Sequence, residues 1–329
     1  MTQERVAYIN GDYLPESEVK VSFRDRGFVL GDAVFDTART FEGKIFRLDD
    51  HIDRLYRSLK AVDMDPGVLP EEMAQISQSV VEKNRPLLGE DDDYWVFQRV
   101  TRGAKSIAGD SQTDSGATVI VECTPLPLKA RAPMFRDGID VLTPVIRRIP
   151  PECLSPNIKN VNYMNLVLAE EEVKGKAEHP WAVLLDTRGF LCEGIGSNIF
   201  LMRDGTLFTP RPQFVLEGVS RQIVIDLAGD LGIPVSEEDL TTFQAETADE
   251  AFMTSTSLCL CPVRSYNGKI LGDGQVPGPV TTQLTAAFSE LVGYDFVGQY
   301  LRTPVSYTHL RAHKTRHDLV CRLLLEKKK

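Results

Sequence analysis

The most informative stretch of the chain is Ser155-Pro156-Asn157-Ile158-Lys159-Asn160-Val161-Asn162-Tyr163-Met164-Asn165-Leu166. It places one lysine, Lys159, between a proline-bent turn and the start of a helix that we predict over 162–177. Apolar and amide side chains flank this lysine, and a partly buried amine is discouraged from protonating, which suits a nucleophile that forms a Schiff base. Taken alone, the segment is explained more simply by an exposed loop lysine, so the rest of the chain has to decide between the two interpretations.

Three other motifs follow Lys159 in order along the chain. They are Glu193-Gly194-Ile195-Gly196-Ser197-Asn198, Leu216-Glu217-Gly218-Val219-Ser220-Arg221 and Phe252-Met253-Thr254-Ser255-Thr256-Ser257. The glycines of the first motif lie between predicted strands, whereas a dinucleotide fingerprint lies at a strand-to-helix turn, so this motif does not predict a dinucleotide site. The chain also contains no G-x-S-x-G and no H-E-x-x-H sequence, which argues against the corresponding hydrolases and zinc proteases.

Together, the four motifs resemble those of the class IV aminotransferases, the fold-type IV pyridoxal 5'-phosphate (PLP) enzymes. This family includes branched-chain aminotransferases, D-amino-acid aminotransferases, (R)-amine transaminases and aminodeoxychorismate lyases. The motifs occur in the family's order and the resemblance covers most of the chain, which makes a chance match improbable. The resemblance implies a two-domain α+β fold, with a small α/β N-terminal domain and a larger C-terminal domain built on a β-barrel-like sheet. It also implies PLP as the cofactor and a homodimer, or a dimer of dimers, as the assembly.

The resemblance implies a role for individual residues. Lys159 matches the lysine that holds PLP as a Schiff base and moves the proton, and Glu193 matches the carboxylate beside the pyridine nitrogen, where an anion keeps that nitrogen protonated. Arg54, in His51-Ile52-Asp53-Arg54-Leu55, matches the arginine that binds the cofactor phosphate with its planar fork. The other residues that we predict to bind the cofactor are Tyr163, Ser197, Asn198, Val219, Ser220 and Thr256.

Each of these residues also has an ordinary structural interpretation. Arg54 is equally compatible with a solvated helix arginine, Glu193 with a charge at the edge of a hairpin, and Tyr163 with a helix core residue. Val219 and Ser220 are predicted to begin a helix, where free backbone N–H groups and the helix dipole favour an anion. The ordered set of motifs, rather than any single residue, therefore supports the functional interpretation.

Substrate preference is predicted from Tyr94-Trp95-Val96-Phe97-Gln98-Arg99-Val100-Thr101-Arg102-Gly103, which resembles the pocket strand of D-amino-acid and (R)-amine enzymes. The D-amino-acid enzymes continue with an Arg-x-His that binds the α-carboxylate. Here the continuation is Ala104-Lys105-Ser106-Ile107-Ala108, which argues against D-amino-acid specificity. The residues that we predict to bind the substrate are Phe35, Tyr94, Phe97, Thr256 and Ser257.

The resulting hypothesis is a PLP-dependent transaminase that works by a ping-pong mechanism through Lys159. Its amino donor is an apolar compound, a branched-chain L-amino acid or an (R)-primary amine, and its acceptor is a keto acid such as 2-oxoglutarate or pyruvate. Three alternatives stay open. They are a lyase of the same fold, a D-amino-acid aminotransferase and a non-catalytic protein that binds a phosphate-bearing ligand.

Composition excludes several other classes of protein. The chain has 329 residues, of which 42% are hydrophobic and 26% charged, and its net charge of −10 argues against nucleic acid as a partner. The sequence contains no run of about 18 apolar residues that could span a membrane, and the N-terminus has no apolar signal core. We therefore predict a cytoplasmic protein. The cysteines show no metal-binding spacing apart from Cys259-Leu260-Cys261, and we predict mostly structural thiols and no metal site.

Hydrophobic periodicity and turn residues predict a mixed chain in two parts. Helices are predicted over 49–62, 70–83, 162–177, 219–231 and 279–292, and strands over 94–101, 117–123, 138–144 and 250–253, with a hairpin at Asn10-Gly11. Three prolines within Thr124–Pro133 predict a stiff, extended linker. The predicted organisation is a small domain over 1–123, a linker over 124–136 and a PLP-binding domain over 137–304.

The character of the sequence changes abruptly at Val305. Three of the five histidines, His309, His313 and His317, lie beyond this point together with a cluster of basic residues. The string resembles the translation of a sequencing-library adaptor read through into poly-A, so we predict that residues 305–329 are not native. A basic C-terminal arm for nucleic acid is the alternative.

Overall fold

The computed structural model describes residues 4–104 and 116–302; Lys105 and the tail over 305–329 lie outside the described residues. Two β-sheets, built from separate parts of the chain, are flanked by helices. The predicted two-domain α+β fold, with its smaller N-terminal part and a larger curled C-terminal sheet, is confirmed. The individual domain boundaries at 123, 136 and 304 stay a prediction.

The first sheet is antiparallel throughout. Its strands are β1 (Val6–Ile9), β2 (Asp12–Pro15), β3 (Ala33–Phe41), β4 (Lys44–Ile45), β5 (Tyr94–Thr101) and β6 (Thr118–Pro125), in the order β2-β1-β6-β5-β3-β4. The predicted hairpin joins β1 and β2, with Asn10 and Gly11 both at positive φ, as this tight turn requires. The helices of this part are α1 (Arg26–Leu30), α2 (Leu48–Ala61) and α3 (Pro70–Asn84).

The two faces of the first sheet have different neighbours. Val34 and Val96 pack into a core with Leu55 of α2, because α2 and α3 cover that face. The alternate residues of β3 turn to the second sheet, where the carbonyl of Thr37 accepts a hydrogen bond of 3.1 Å from Thr256 Oγ1. Side chains of β3 and β5 on this second face therefore lie between the two parts of the chain.

The second sheet is mixed. Its strands are β7 (Ile139–Leu142), β8 (Pro180–Leu185), β9 (Leu191–Gly194), β10 (Asn198–Arg203), β11 (Thr206–Pro210), β12 (Val235–Glu238), β13 (Glu250–Ser255), β14 (Cys259–Tyr266) and β15 (Lys269–Ile270). Their order is β12-β11-β10-β13-β14-β7-β8-β9, with β15 on β14. A tight turn with a bridge between Gly194 and Ser197 leads from β9, at the end of this order, into β10, so the sheet curls back on itself. The helices here are α4 (Leu128–Asp137), α5 (Met164–Val173), α6 (Val219–Asp230), α7 (Thr242–Glu246), α8 (Pro279–Val292) and α9 (Phe296–Arg302).

The prediction of an extended linker was wrong about its conformation. The strand β6 continues to Pro125, and the helix α4 begins at Leu128 and contains Pro133. Leu128, Ala132 and Phe135 are buried at helical spacing, so packing of one helix face outweighs the local stiffness that the prolines suggested. The segment between the sheets is thus a packed helix.

Long amphipathic segments were predicted well. The helix predicted over 279–292 is α8 with the same ends, and the helix predicted over 49–62 is α2, shifted by one residue. Among the residues described, none of the helices combines the length and apolar character that a bilayer crossing needs. The described cysteines, which include Cys259 and Cys261 on β14, are unpaired thiols.

Candidate active site

Lys159 is held in place by backbone contacts with the first sheet. The Phe35 N–H donates to the carbonyl of Lys159 at 2.9 Å, and the Lys159 N–H donates to Ser58 Oγ of α2 at 3.1 Å. Two residues on, the Val161 N–H donates to the carbonyl of Ala33 at 3.2 Å. The lysine side chain is 8% exposed and its Nζ lies 4.6 Å from the centre of the Phe35 ring. The lysine is therefore buried and fixed, which contradicts the interpretation as an exposed loop lysine.

Glu193 lies near the end of β9 and lines the same cleft as Lys159. Its side chain is buried, and both carboxylate oxygens accept hydrogen bonds: Oε1 from Arg148 Nε at 3.0 Å and Oε2 from the Leu216 N–H at 2.9 Å. A buried carboxylate needs such partners because its desolvation is otherwise costly. The structure thus places the fixed carboxylate of Glu193 and the amine of Lys159 in one cleft.

The N-terminus of α6 also lines this cleft. Gly218 precedes the helix, and a Cβ at this position would collide with the side chain of Asn198, whose amide donates to the carbonyl of Leu216 at 3.0 Å. Ser220 donates its hydroxyl to the carbonyl of Ser255 at 3.0 Å, which ties the helix to β13. The free N–H groups of a helix N-terminus favour an anion, so this corner of the cleft is suited to a phosphate group.

Arg54 reaches the same corner from α2. It donates through Nη1 to the carbonyl of Glu217, at 3.2 Å, immediately before α6. Its other nitrogens make a bidentate pair with Asp36, at 2.8 Å from Nε to Oδ2 and 2.8 Å from Nη2 to Oδ1. His51 Nδ1 completes the cluster at 2.7 Å from Asp36 Oδ1. Arg54 is therefore a fixed, buried cation beside the helix N-terminus.

The buried cluster has perturbed titration behaviour. Burial alone raises the pKa of Asp36, but the charge and hydrogen bonds of Arg54, together with those of His51, bring it well below the ordinary value of 3.8. Burial lowers the pKa of His51 below 6.5, and the charges of Arg54 and Lys159 add to this against the opposing effect of Asp36. The cluster near pH 7 thus contains an ionised carboxylate, a cationic guanidinium and a neutral imidazole.

We expect Asp36→Asn to lower the free energy of unfolding by about 3–5 kcal/mol at pH 7, because it leaves the buried Arg54 guanidinium without its counter-charge. The folded-state pKa of Asp36 is depressed, so its stabilising contribution is present above pH 3.8 and is lost as the pH falls below that value. The difference in the free energy of unfolding between wild type and variant should therefore become smaller as the pH falls below 3.8. Urea denaturation across a pH series measures this. Asp53→Asn, an exposed position on the same helix, is the control, with an expected change below about 0.5 kcal/mol; an equal loss in both variants would contradict the assignment.

All nine residues that the sequence predicted to bind the cofactor line one cleft. They are Arg54, Lys159, Tyr163, Glu193, Ser197, Asn198, Val219, Ser220 and Thr256. Their convergence brings together elements from both parts of the chain. Their roles stay a proposal, which is developed below.

The predicted substrate-binding residues are placed less uniformly. Phe35 contacts Lys159, and Phe97 lies on the same sheet face, paired across the strands with Thr37. Ser257 is buried directly after Thr256, and its Oγ accepts a hydrogen bond from Arg131. These residues lie at or beside the cleft.

Tyr94 was predicted to face the substrate, and the structure contradicts this. Its side chain is 1% exposed in the core beneath α3, and its hydroxyl donates to the carbonyl of Asn84 at 2.9 Å. Successive residues of a strand face opposite sides of the sheet, so Tyr94 and Phe97, three positions apart on β5, cannot share a face.

Several residues of the cleft were not predicted. Arg148 pairs with Glu193, and Thr254 lines the cleft, with its buried Oγ1 lacking a hydrogen-bond partner among the described residues. Asp36 and His51 were also not predicted; Asp36 contacts both Arg54 and His51. His51 is one of two histidines before the tail, and this scarcity could have marked it as a candidate functional residue. The contacts of Asp36 and Arg148 link distant parts of the chain and leave no local pattern.

Comparison with known proteins identifies the family and the fold. Residues 33–266 match the family model for class IV amino-transferases. A "putative branched-chain-amino-acid aminotransferase" of Methanocaldococcus jannaschii is 36% identical over 86% of this chain and 95% of that protein, and a D-alanine aminotransferase of Staphylococcus epidermidis is 30% identical over 87% and 97%. The T.th. branched-chain amino acid aminotransferase, solved as a complex with N-(5'-phosphopyridoxyl)-L-glutamate, superposes with a TM-score of 0.77 at 30% identity over 91% of this chain and 96% of that one.

Proposed function

This chain belongs to the class IV aminotransferase family, and we propose that it transfers the amino group of branched-chain L-amino acids to 2-oxoglutarate by way of Lys159. It is a PLP-dependent transaminase whose substrates are small amines and keto acids. The observation that carries the proposal is the position of the buried Lys159 amine, which contacts Phe35 and lines the same cleft as the buried carboxylate of Glu193. The phosphopyridoxyl-glutamate adduct held by the T.th. enzyme supports glutamate and 2-oxoglutarate as one substrate pair.

The charged groups of the cleft match the chemical groups of PLP. A cationic corner, made by Arg54 and the N-terminus of α6, suits a phosphate; the amine of Lys159 suits an aldehyde; and the carboxylate of Glu193 suits a ring nitrogen that can carry a proton. The buried hydroxyl of Thr254, a residue that lines the cleft, has no hydrogen-bond partner among the described residues and fits a polar ligand. The cofactor, when bound, supplies the electron sink that the protein side chains lack.

The chain's own residues supply binding and proton transfer. With PLP bound, Lys159 would hold the cofactor through Nζ, which takes the place of the aldehyde oxygen with loss of water. When the amino donor in turn takes the place of the lysine, the freed amine would move a proton to and from the substrate Cα. Arg54, Ser220 and Thr256 would bind the phosphate, and Tyr163 would help to hold the ring. Water would release the keto product, and a keto acid would then take up the amino group by the reverse of these steps.

The apolar wall beside Lys159 favours donors with an aliphatic side chain. Phe35 contacts both the lysine amine and, edge to face at 5.5 Å, the ring of Tyr163. Phe97 extends this aromatic surface along β5. Branched aliphatic groups gain free energy from burial against such a surface. An (R)-primary amine with an apolar substituent would use the same wall, and it is therefore one arm of the test.

A donor panel tests the proposal. The purified protein, loaded with PLP, is assayed with 2-oxoglutarate and with L-leucine, D-alanine or either enantiomer of 1-phenylethylamine. We expect L-leucine to give the highest kcat/KM, together with an absorbance change of the cofactor on addition of L-leucine alone. Preference for D-alanine or an amine would replace the branched-chain assignment. Release of pyruvate from aminodeoxychorismate without any acceptor would identify a lyase.

We also propose a homodimer, with α1 at its interface, and a cytoplasmic location. The exposed apolar residues of α1, Phe28, Val29 and Leu30, form a patch that is unusual for a surface. The patch adjoins the lysine segment, since Asn162 donates to the carbonyl of Gly31 at 3.1 Å. A second copy of the chain, rather than solvent, is the cover that this arrangement favours.

Phe28→Lys should weaken the dimer. Phe28 is 77% exposed, and its burial in a two-fold interface would count twice, so we expect the dissociation constant to rise about 100-fold or more. Sedimentation velocity over a concentration series measures the change. Phe243→Lys is the matched control, because Phe243 is 69% exposed on α7, and it should leave the association unchanged. A wild-type monomer, or equal effects of the two substitutions, would overturn the proposed interface.

A further inference from the structure

Arg131 differs from the other arginines near the cleft because its charge has no acidic partner in contact with it. Arg54 pairs with Asp36, Arg148 with Glu193 and Arg99 with Glu122. Arg131 instead donates a hydrogen bond to Ser257 Oγ, and within residues 4–104 and 116–302 no carboxylate lies at ion-pairing distance from it. The charge of Glu170 acts on it only at longer range.

Two indole rings flank this guanidinium. Its central carbon lies 5.0 Å from the centre of the Trp95 ring and 6.0 Å from that of Trp181. Aromatic faces attract a cation but leave its N–H donors unused, and the neighbouring hydroxyls of Ser257 and Tyr300 occupy only part of the five-donor fork. Burial lowers the pKa of Arg131, and the nearby positive charge of Arg39 acts in the same direction. The site therefore holds an incompletely compensated cation with donors to spare.

Arg131 adjoins the cleft through two of its contacts. Its hydrogen-bond partner Ser257 follows Thr256, which lines the cleft, and Trp181 donates through Nε1 to Oγ of Ser197, another lining residue, at 2.9 Å. A row of side-chain contacts also joins Arg131 to the lysine along the inner face of the first sheet. These contacts are Arg131 to Trp95 at 5.0 Å, Trp95 to Phe97 at 6.1 Å, Phe97 to Arg99 at 4.5 Å, Arg99 to Phe35 at 5.9 Å and Phe35 to Lys159 at 4.6 Å.

We propose that Arg131 binds a carboxylate of the acid substrates and so makes the enzyme select amino and keto acids over plain amines. The inference rests on the proposed transaminase function and adds a specificity residue to it. A carboxylate at Arg131 would accept two parallel N–H···O bonds, the geometry that a guanidinium offers and a hydroxyl cannot fill. The apolar part of the same substrate would lie against Phe35 and Phe97, the aromatic surface beside Lys159.

Binding of a non-reacting acid tests this directly. Trp95 and Trp181 are the chain's two tryptophans, so intrinsic fluorescence of the PLP-loaded enzyme reports on the surroundings of Arg131. The probes are 4-methylvalerate and its uncharged amide. We expect wild type to bind the acid at least about tenfold more tightly than the amide, Arg131→Met to lose this difference with amide affinity unchanged, and Arg131→Lys to lie between them. Competitive inhibition of transamination measures the same ratio independently.

The controls separate binding from folding. Arg136→Met changes an exposed arginine of the same helix and should preserve the ratio of acid to amide affinity. Should the methionine variant fail to fold, Arg131→Gln, which keeps a donor for Ser257, gives the same test. Acid affinity that survives the loss of Arg131, or a loss of acid and amide affinity by equal factors, would overturn the proposal.

Kinetics with two acceptors identify which carboxylate is bound. An increase in KM for both pyruvate and 2-oxoglutarate in Arg131→Met places the carboxylate next to the keto group at Arg131. An increase confined to 2-oxoglutarate places the distal carboxylate there. Both results support the inference. If wild type transfers no amino group to any keto acid, the proposed function itself fails, whereas normal transfer with unchanged acid affinity in Arg131→Met removes this inference alone.

Discussion

Lys159→Ala is expected to reduce kcat by about four orders of magnitude or more while leaving the protein folded. The substitution removes the group that bonds to the cofactor and the group that carries the proton, and each tenfold loss corresponds to about 1.4 kcal/mol of transition-state stabilisation. Within the described part of the chain, Lys159 is the lysine among the residues that line the cleft. Single-turnover kinetics with L-leucine measure the effect without interference from cofactor exchange.

Two further variants sharpen this prediction. Lys159→Arg keeps a positive charge but offers no free amine, because a guanidinium stays protonated, so it should be as inactive as the alanine variant. Lys174→Ala removes an exposed lysine that pairs with Glu171 and should retain wild-type activity. Borohydride reduction followed by peptide mass spectrometry gives a readout besides activity, with the cofactor expected on the peptide that contains Lys159. Attachment to another lysine, or an alanine variant with more than about a tenth of wild-type activity, would contradict the assignment.

The sequence predicted the cleft better than it predicted the surroundings of the cleft. Eight of the nine cofactor residues were predicted from four motifs in a recognisable order, and the ninth, Arg54, from a separate segment. The helices α2 and α8 were predicted because their apolar residues recur at helical spacing. Local composition misled where packing decided: the prolines before Arg131 suggested an extended linker, yet burial of Leu128 and Phe135 favours a helix. Because of that error, Arg131 was not predicted as a site residue: its contact with Trp181 depends on the helix.

Contacts between distant residues account for the rest. The pair of Asp36 and Arg54 joins a strand to a helix, and the pair of Arg148 and Glu193 joins a loop to a strand; neither leaves a periodic pattern in the sequence. The misplacement of Tyr94 was avoidable in principle, because strand parity already separates it from Phe97. Buried charge pairs, unlike helices, become visible only when the two parts of the chain are brought together.

Glu193→Gln is expected to lower kcat about 10²- to 10³-fold and to leave the fold intact. Glutamine keeps the volume of the side chain and an oxygen that can accept from the Leu216 N–H, now 2.9 Å from Oε2. It removes the negative charge that, in the proposed arrangement, stabilises a proton on the cofactor's ring nitrogen. Stopped-flow absorbance with L-leucine measures the rate, and the cofactor spectrum measured against pH should show that nitrogen losing its proton more readily than in wild type.

The same substitution also disturbs the ion pair with Arg148, whose side chain is 12% exposed, so a control must separate charge at the ring from loss of a buried ion pair. Asp186→Asn provides it: Asp186 is buried in the turn before β9, pairs with Arg188 and accepts from the Phe190 N–H, but does not line the cleft. We expect Asp186→Asn to reduce stability by about 1–3 kcal/mol with kcat and the cofactor spectrum unchanged. Glu193→Asp should recover part of the rate. The contrary result is a Glu193→Gln enzyme with an unaltered cofactor spectrum and a rate within about twofold of wild type. It would mean that the Glu193 carboxylate stabilises the fold around the cleft and not the charge on the cofactor.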